Sequence, residues 1–171
     1  MKKYLLPAIL SAMLAACGST GTSTDSAAGV SDAGAGVTTV TAPGMSGSGI
    51  AALTDPNNIL SRRSVYFDFD SFTVRSEFTS LVDAHARFLT QNPDMRMLVQ
   101  GNTDERGSRE YNLALGQKRA EAVKQALLLL GASESQIESV SLGEEKSRCE
   151  EATETCFAEN RRADMLYSGE F

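Results

Sequence analysis

The residues most able to do chemistry lie in one short stretch, Gly101-Asn102-Thr103-Asp104-Glu105-Arg106-Gly107-Ser108. It follows an apolar run and precedes a segment with helical spacing. Ligands of α/β sheets tend to bind at such strand-to-helix loops, and the free N–H groups and positive dipole end of a helix N-terminus favour a carboxylate. The same residues would also suit a solvated, capped turn that binds nothing. Further along, Asn112, Gly116 and Arg119 fall at i, i+4 and i+7, on one stripe of a helix. A glycine inside a helix costs about 1 kcal/mol relative to alanine, so Gly116 needs a reason. Either its missing side chain opens a shallow groove between Asn112 and Arg119 to a peptide ligand, or the helix packs closely against a neighbour there.

Catalysis is not expected from these groups. Asp104 and Glu105 are adjacent, whereas a glycosidase holds its two carboxyls about 5 to 9.5 Å apart across the scissile bond. His85 is the single histidine, and it lies on the apolar side of a helical pattern, where a packing role outweighs a catalytic one. No Ser or Cys nucleophile with a nearby base is visible in this half of the chain. The chain has three cysteines. Cys149 and Cys156 form an even pair at a separation that suits a local loop or helical turn, and a disulfide is expected if the chain is exported. A metal site is the alternative, but two thiols and one histidine fall short of the usual four zinc ligands.

The elements that must hold these residues begin at Ser64. Val65-Tyr66-Phe67-Asp68-Phe69 reads as a strand ending at Asp70-Ser71. Phe78, Leu81, Val82, His85, Phe88 and Leu89 follow at helical spacing, and Asn92-Pro93 stops that helix. Met95 to Gly101 is a second strand. Tyr111 to Leu130 is a second helix with Val123, Leu127 and Leu130 facing inward and Gly131 at its C-terminal cap. Ile137 to Leu142 and Asp164 to Tyr167 complete four strands. The expected fold is α/β in two layers, an α+β sandwich with one mixed four-stranded sheet and helices on one face.

Ahead of this domain the chain changes character. Lys2 and Lys3 precede an apolar stretch from Tyr4 to Leu14, then Ala15, Ala16 and Cys17. This pattern reads as a secretory leader over 1–16, too short for the roughly 20 apolar residues of a membrane-spanning helix. Leu14-Ala15-Ala16-Cys17 resembles the bacterial lipobox, which implies a diacylglycerol on the Cys17 thiol and no other cofactor. Gly18, where an Asp would resemble an inner-membrane retention signal, is consistent with sorting to the outer membrane. From Gly18 to Asn58 the chain is rich in Gly, Ser, Thr and Ala and reads as a flexible tether, with an r.m.s. reach of roughly 35 Å. The folded domain is expected over 59–171. Lys and Arg number 16 against 22 Asp and Glu, a net charge of -6, which argues against a nonspecific grip on nucleic acid or on an anionic membrane surface.

Four ordered motifs then carry a resemblance: Val65-Tyr66-Phe67-Asp68-Phe69-Asp70-Ser71, Gly101 through Asn112, Leu115-Gly116-Gln117-Lys118-Arg119-Ala120, and Asn160-Arg161-Arg162-Ala163. From about Ser64 to Tyr167 the chain resembles the OmpA-like C-terminal domain family, and most closely its lipoprotein branch associated with peptidoglycan and the Tol system. The resemblance implies a β-α-β-α-β-(α)-β order and a noncatalytic domain that binds peptidoglycan through the meso-diaminopimelate of an uncrosslinked stem. By position, Asp104 would pair with the ligand ammonium and Arg119 with its carboxylate. Asp68, Asn112 and Arg161 would line the pocket, with Arg106 nearby through its backbone and Arg162 pointing elsewhere. TolB and other Tol proteins are the implied protein partners. Asn102 stands where many members have His, and the Cys149 to Cys156 insert replaces Gly-rich sequence. A surface lipoprotein that binds mainly a protein partner is the rival function, and a cell-wall hydrolase a weaker one.

Overall fold

The computed structural model describes residues 47–171. The expected leader over 1–16, the expected acylation of Cys17 and the part of the expected tether over 18–46 lie outside the described residues. Four strands, β1 (Ser64–Tyr66), β2 (Met97–Asn102), β3 (Ile137–Gly143) and β4 (Arg162–Tyr167), form one sheet in the order β1-β4-β2-β3. β4 is antiparallel to β1 and to β2, while β2 and β3 run parallel. The helices are α1 (Gly47–Thr54), α2 (Thr79–Gln91), α3 (Arg109–Leu129) and α4 (Glu154–Asn160). The mixed four-stranded sheet and the strand and helix order expected from the sequence are both present.

Alternation along the strands decides what the sheet buries. Val65, Met97, Val99, Ile137, Ala163, Met165 and Tyr167 are all essentially inaccessible. They form one core with Leu81, Val82, Ala86, Phe88 and Leu89 of α2 and Ala120, Val123 and Leu127 of α3. α3 is the crossover between the parallel strands β2 and β3, so its inner stripe covers their shared face. Ser108 caps its first turn, the hydroxyl accepting from the N–H of Tyr111 at 3.2 Å. Gly131, at φ +100°, lets the chain turn back after its last turn.

Three sequence expectations need correction. Leu130 does not face inward; it is 43% exposed. The helix has ended before it, and Ala132 takes the inward place after the Gly131 turn, its N–H bonding the carbonyl of Leu127 at 3.1 Å. The first strand stops at Tyr66 rather than Phe69. After one more bond, from the Phe67 N–H to the Arg161 carbonyl, the backbone leaves the sheet, and Asp70 adopts a positive φ of 52°. The tether does not extend to Asn58, because α1 occupies Gly47–Thr54 and buries Leu53 against the core. Arg63 fastens that segment by donating to the Leu53 carbonyl at 3.0 Å.

His85 is a core residue, as its helix position implies. It is fully buried, with Nε2 2.8 Å from the Arg62 carbonyl and Nδ1 2.8 Å from the Tyr167 hydroxyl. A carbonyl can only accept, so Nε2 carries the proton and Nδ1 accepts from Tyr167. Burial lowers the pKa of this imidazole to about 4, against the opposing pull of the Arg62 carbonyl. A base with a depressed folded pKa contributes stability that is intact above its unfolded value and is lost as pH falls. The window therefore runs from about 6.5 down to about 4, and the loss across it is about 3 kcal/mol. Urea titrations at pH 7 and pH 4.5 should show most of that loss, with the His85 ring still neutral by NMR in the native protein. A ring that titrates near pH 6.5 in the folded state would remove this account.

Candidate functional site

β2 delivers the chemistry at its C-terminal end. Its register with β3 shifts between Gly101 and Asn102, and the chain passes through Thr103 and Asp104, both buried. Arg119 of α3 is held beneath this turn with no solvent exposure. Its Nε donates to the Ser71 carbonyl at 2.8 Å, Nη1 to the Asn102 carbonyl at 2.9 Å, and Nη2 to the Asp68 carbonyl at 3.2 Å. Three carbonyls from two loops thus converge on one guanidinium, which explains why the chain leaves the first strand early. Burial brings the Arg119 pKa down to about 10, with the Asp104 charge opposing that shift. Arg119 therefore stays protonated at neutral pH.

Above Arg119, four charged side chains close a ring. Asp104 Oδ2 accepts from Arg106 Nη2 at 2.6 Å and from Arg161 Nη1 at 3.2 Å. Glu154 completes the circuit, 2.8 Å from Arg161 Nη2 and 3.2 Å from Arg106 Nη1. Burial by itself would raise the Asp104 pKa; the hydrogen bonds from Arg106 and Arg161 outweigh it and hold the carboxyl below its ordinary range. Arg161 also donates from Nε to the Phe67 carbonyl at 3.1 Å. The Arg106 guanidinium lies over two rings, 4.2 Å from the centroid of Phe69 and 4.5 Å from that of Phe157.

These groups border an open cavity of about 230 Å³, lined by Phe69, Asp70, Asp104, Arg106, Gly107, Tyr111, Leu115, Arg119 and Arg161. Four of the six residues expected at a pocket from the sequence, Asp104, Arg106, Arg119 and Arg161, are therefore brought together. The other two are not. Asp68 gives the site only its carbonyl, since its carboxylate points to an adjoining depression and pairs loosely with Arg75 at 3.5 Å. Asn112 is buried behind the Gly107 turn, where its Nδ2 bonds Glu144. The stripe that faces the cavity is Tyr111, Leu115 and Arg119, at i, i+4 and i+8. It is one residue round the helix from the stripe of Asn112 and Gly116.

A sequence model described as the OmpA family matches residues 66–161. The chain belongs to the OmpA family. A peptidoglycan-associated lipoprotein of Pasteurella multocida is 46% identical to it over 104 residues, 61% of this chain and 69% of that protein. A protein of the same description from Legionella pneumophila is 36% identical over 160 residues, 91% of this chain and 88% of that one. Among solved structures, the peptidoglycan-associated lipoprotein from Burkholderia pseudomallei superposes with a TM-score of 0.68 at 55% identity, over 68% of this chain and 99% of that chain. The C-terminal domain of Helicobacter pylori MotB, at 17% identity and a TM-score of 0.58 over 63% of this chain and 84% of that one, shares the fold.

Within this OmpA-family domain, the choice left open at Gly116 resolves as close packing. A Cβ on Gly116 would lie 2.3 Å from Ser141 Oγ and 2.9 Å from the Gly101 carbonyl oxygen. Strand and helix meet backbone to backbone, which seats α3 low enough for Arg119 to reach the carbonyls of Asn102 and Ser71. The space that the missing Gly116 side chain leaves is taken by Ser141 and the Gly101 backbone.

The disulfide-bonded segment between Cys149 and Cys156 leads into part of the site. Cys149 and Cys156 are disulfide-bonded, with Cα atoms 5.3 Å apart. Asn160 clasps the same segment, its Oδ1 accepting from the N–H groups of Arg148 and Cys149 and its Nδ2 donating to the Cys149 carbonyl at 2.7 Å. These links fix both ends of α4, which carries Glu154 and Phe157 and leads into Arg161. Arg162 turns to the opposite face of β4 and pairs with Asp164 at 2.8 Å, as its neighbour's inward role requires. Phe69, Asp70, Tyr111 and Leu115 of the cavity wall, and Glu154 and Phe157 behind Arg106, were not singled out by the sequence. The Tyr111, Leu115, Arg119 spacing was the signal available for two of them.

Proposed function

We propose that this domain binds peptidoglycan noncovalently through the meso-diaminopimelate of an uncrosslinked stem peptide and performs no catalysis. The observation that carries the proposal is the buried Asp104 carboxylate set among arginines at the edge of a cavity whose walls include Phe69, Tyr111 and Leu115. Diaminopimelate offers an ammonium and a carboxylate on an aliphatic chain. Asp104 suits the first, an arginine fork suits the second, and charge-assisted hydrogen bonds are roughly twice as strong as neutral ones. The relatives from Pasteurella, Legionella and Burkholderia are named peptidoglycan-associated lipoproteins, which supports peptidoglycan as the polymer bound.

On this proposal Cys17 carries the acyl anchor in the outer membrane, the segment after it spans the gap, and the folded domain works in the periplasm. The protein thereby links membrane to wall and supports envelope integrity and cell division within the Tol system. Two or three acyl tails contribute about 0.8 kcal/mol per buried methylene, enough for stable anchoring. TolB is the expected protein partner. Phe69 and Tyr111, 59% and 47% exposed beside the cavity, support a protein docking on the same face and competing with the wall.

Calorimetric titration of the purified protein with a diaminopimelate-containing muropeptide tests the proposal. Asp104→Asn keeps shape and some hydrogen bonding but removes the charge, so affinity should fall about 10- to 100-fold. Unfolding curves for the variant separate that loss from misfolding. Absence of binding by folded wild type at millimolar ligand, or an Asp104→Asn protein that binds as well as wild type, would overturn it.

A further inference from the structure

The two cations on Asp104 are held very differently. Arg161 is buried, its side chain 8% exposed, and all three of its nitrogens have partners: Phe67, Asp104 and Glu154. The Arg106 side chain is 35% exposed, and its Nε has no hydrogen-bond partner although that atom is buried. It stands on the loop just before Gly107, whose φ is +117°. Its ring partner Phe69 is itself 59% exposed, and its second carboxylate partner, Glu154, has a side chain 64% exposed; ion pairs with a partner open to water are weak. Without the Arg106 side chain, the space it fills would have the Asp104 carboxylate at its base, Glu154 at its rim and aromatic faces of Phe69 and Phe157 on its sides. Two carboxylates and two π-faces around one space make a receptor for an organic cation.

We infer that Arg106 is an internal ligand of this cation slot, which a ligand's ammonium must displace to reach Asp104. The inference rests on the peptidoglycan-binding reading for the identity of the external ligand, and the slot itself can be tested apart from it. Arg106 then sets a threshold for binding. A neutral or anionic group cannot replace it on two carboxylates, whereas an ammonium presented on a longer molecule can. Affinity is reduced by the fraction of time the slot stands open, so a slot open one tenth of the time would weaken binding about tenfold.

The test uses full-chain Arg106→Ala and Arg106→Gln beside wild type, with two probes. With a diaminopimelate-containing muropeptide, both variants should bind about tenfold more tightly than wild type. With methylguanidinium, the ring resonances of Phe69 and Phe157 should shift in Arg106→Ala and stay in place in wild type. If wild type binds muropeptide and the variants bind it equally or more weakly, Arg106 is a ligand contact and the inference fails while the peptidoglycan reading stands. If no protein binds muropeptide, the peptidoglycan reading fails, and the methylguanidinium shift alone then decides the slot. No shift in Arg106→Ala overturns it.

Discussion

Replacing Arg119 with Ala is expected to cost about 3–5 kcal/mol of folding stability, more than a lost ligand contact would cost. The side chain has no solvent exposure, and its removal takes a donor from each of the carbonyls of Asp68, Ser71 and Asn102 and leaves a new cavity among them. Arg119→Lys should recover little, because one ammonium on a flexible stem cannot reproduce a planar fork that meets three carbonyls from two loops. Urea unfolding of the two variants checks this directly. A loss below about 1 kcal/mol for Arg119→Ala would mean that the carbonyl cage does not hold the loops. The same number governs how binding data are interpreted: weak binding by Arg119→Ala reports a collapsed site before it reports a missing ligand contact. Asp104→Asn is the cleaner probe of recognition.

The second large effect is expected at Gly101. A Cβ there would lie 1.8 Å from the Gly116 carbonyl oxygen and 3.1 Å from the Ala120 nitrogen. Both are backbone atoms of α3 and cannot rotate away. Gly101→Ala must therefore push the helix off the sheet or unwind the end of β2, at a cost of about 3 kcal/mol or more. Because Asn102 and Arg119 lie on the two surfaces being separated, muropeptide binding should weaken even in the fraction that stays folded. Thermal unfolding read with calorimetric binding separates the two consequences. Wild-type stability in Gly101→Ala would show that the helix and strand are not in the tight contact described.

Much of this was legible in the sequence, and the exceptions have physical causes. Strand alternation and helical spacing located the sheet and the long helices because those elements bury one face each. Leu130 misled because periodicity continues past the point where backbone geometry ends a helix. Val65 to Phe69 alternates like a strand, yet the carbonyls of Asp68 and Ser71 are drawn to Arg119, a pull that has no local trace. Asp104, Arg119 and Arg161 were found by motif, and the structure brings them together from β2, α3 and the end of α4. Sequence spacing places Asn112 on the ligand side because the seven-residue offset of Asn112 from Arg119 and the eight-residue offset of Tyr111 differ by only one helix position, about 100°. Glu154 and Phe157 were invisible because they lie in the disulfide-bonded insert, where nothing in the local pattern points toward a cavity formed some fifty residues upstream.

The position of β4 in the sheet has a consequence for how the domain comes into being. Among the described residues β1 pairs with β4 alone, and the pairing Ser64 with Asp164 joins residues a hundred positions apart. β4, at Arg162–Tyr167, is the last of the four strands in chain order. A growing chain that has reached Asn160 holds β2, α3 and β3 but leaves β1 and one edge of β2 with open hydrogen-bonding groups. Contacts this distant form slowly, because the entropy of closing a long loop is spent before any pairing is gained. The sheet is thus completed only once β4, the last of its four strands in chain order, has been made. The interval before that moment is when the unpaired edges of β1 and β2 are most open to other chains.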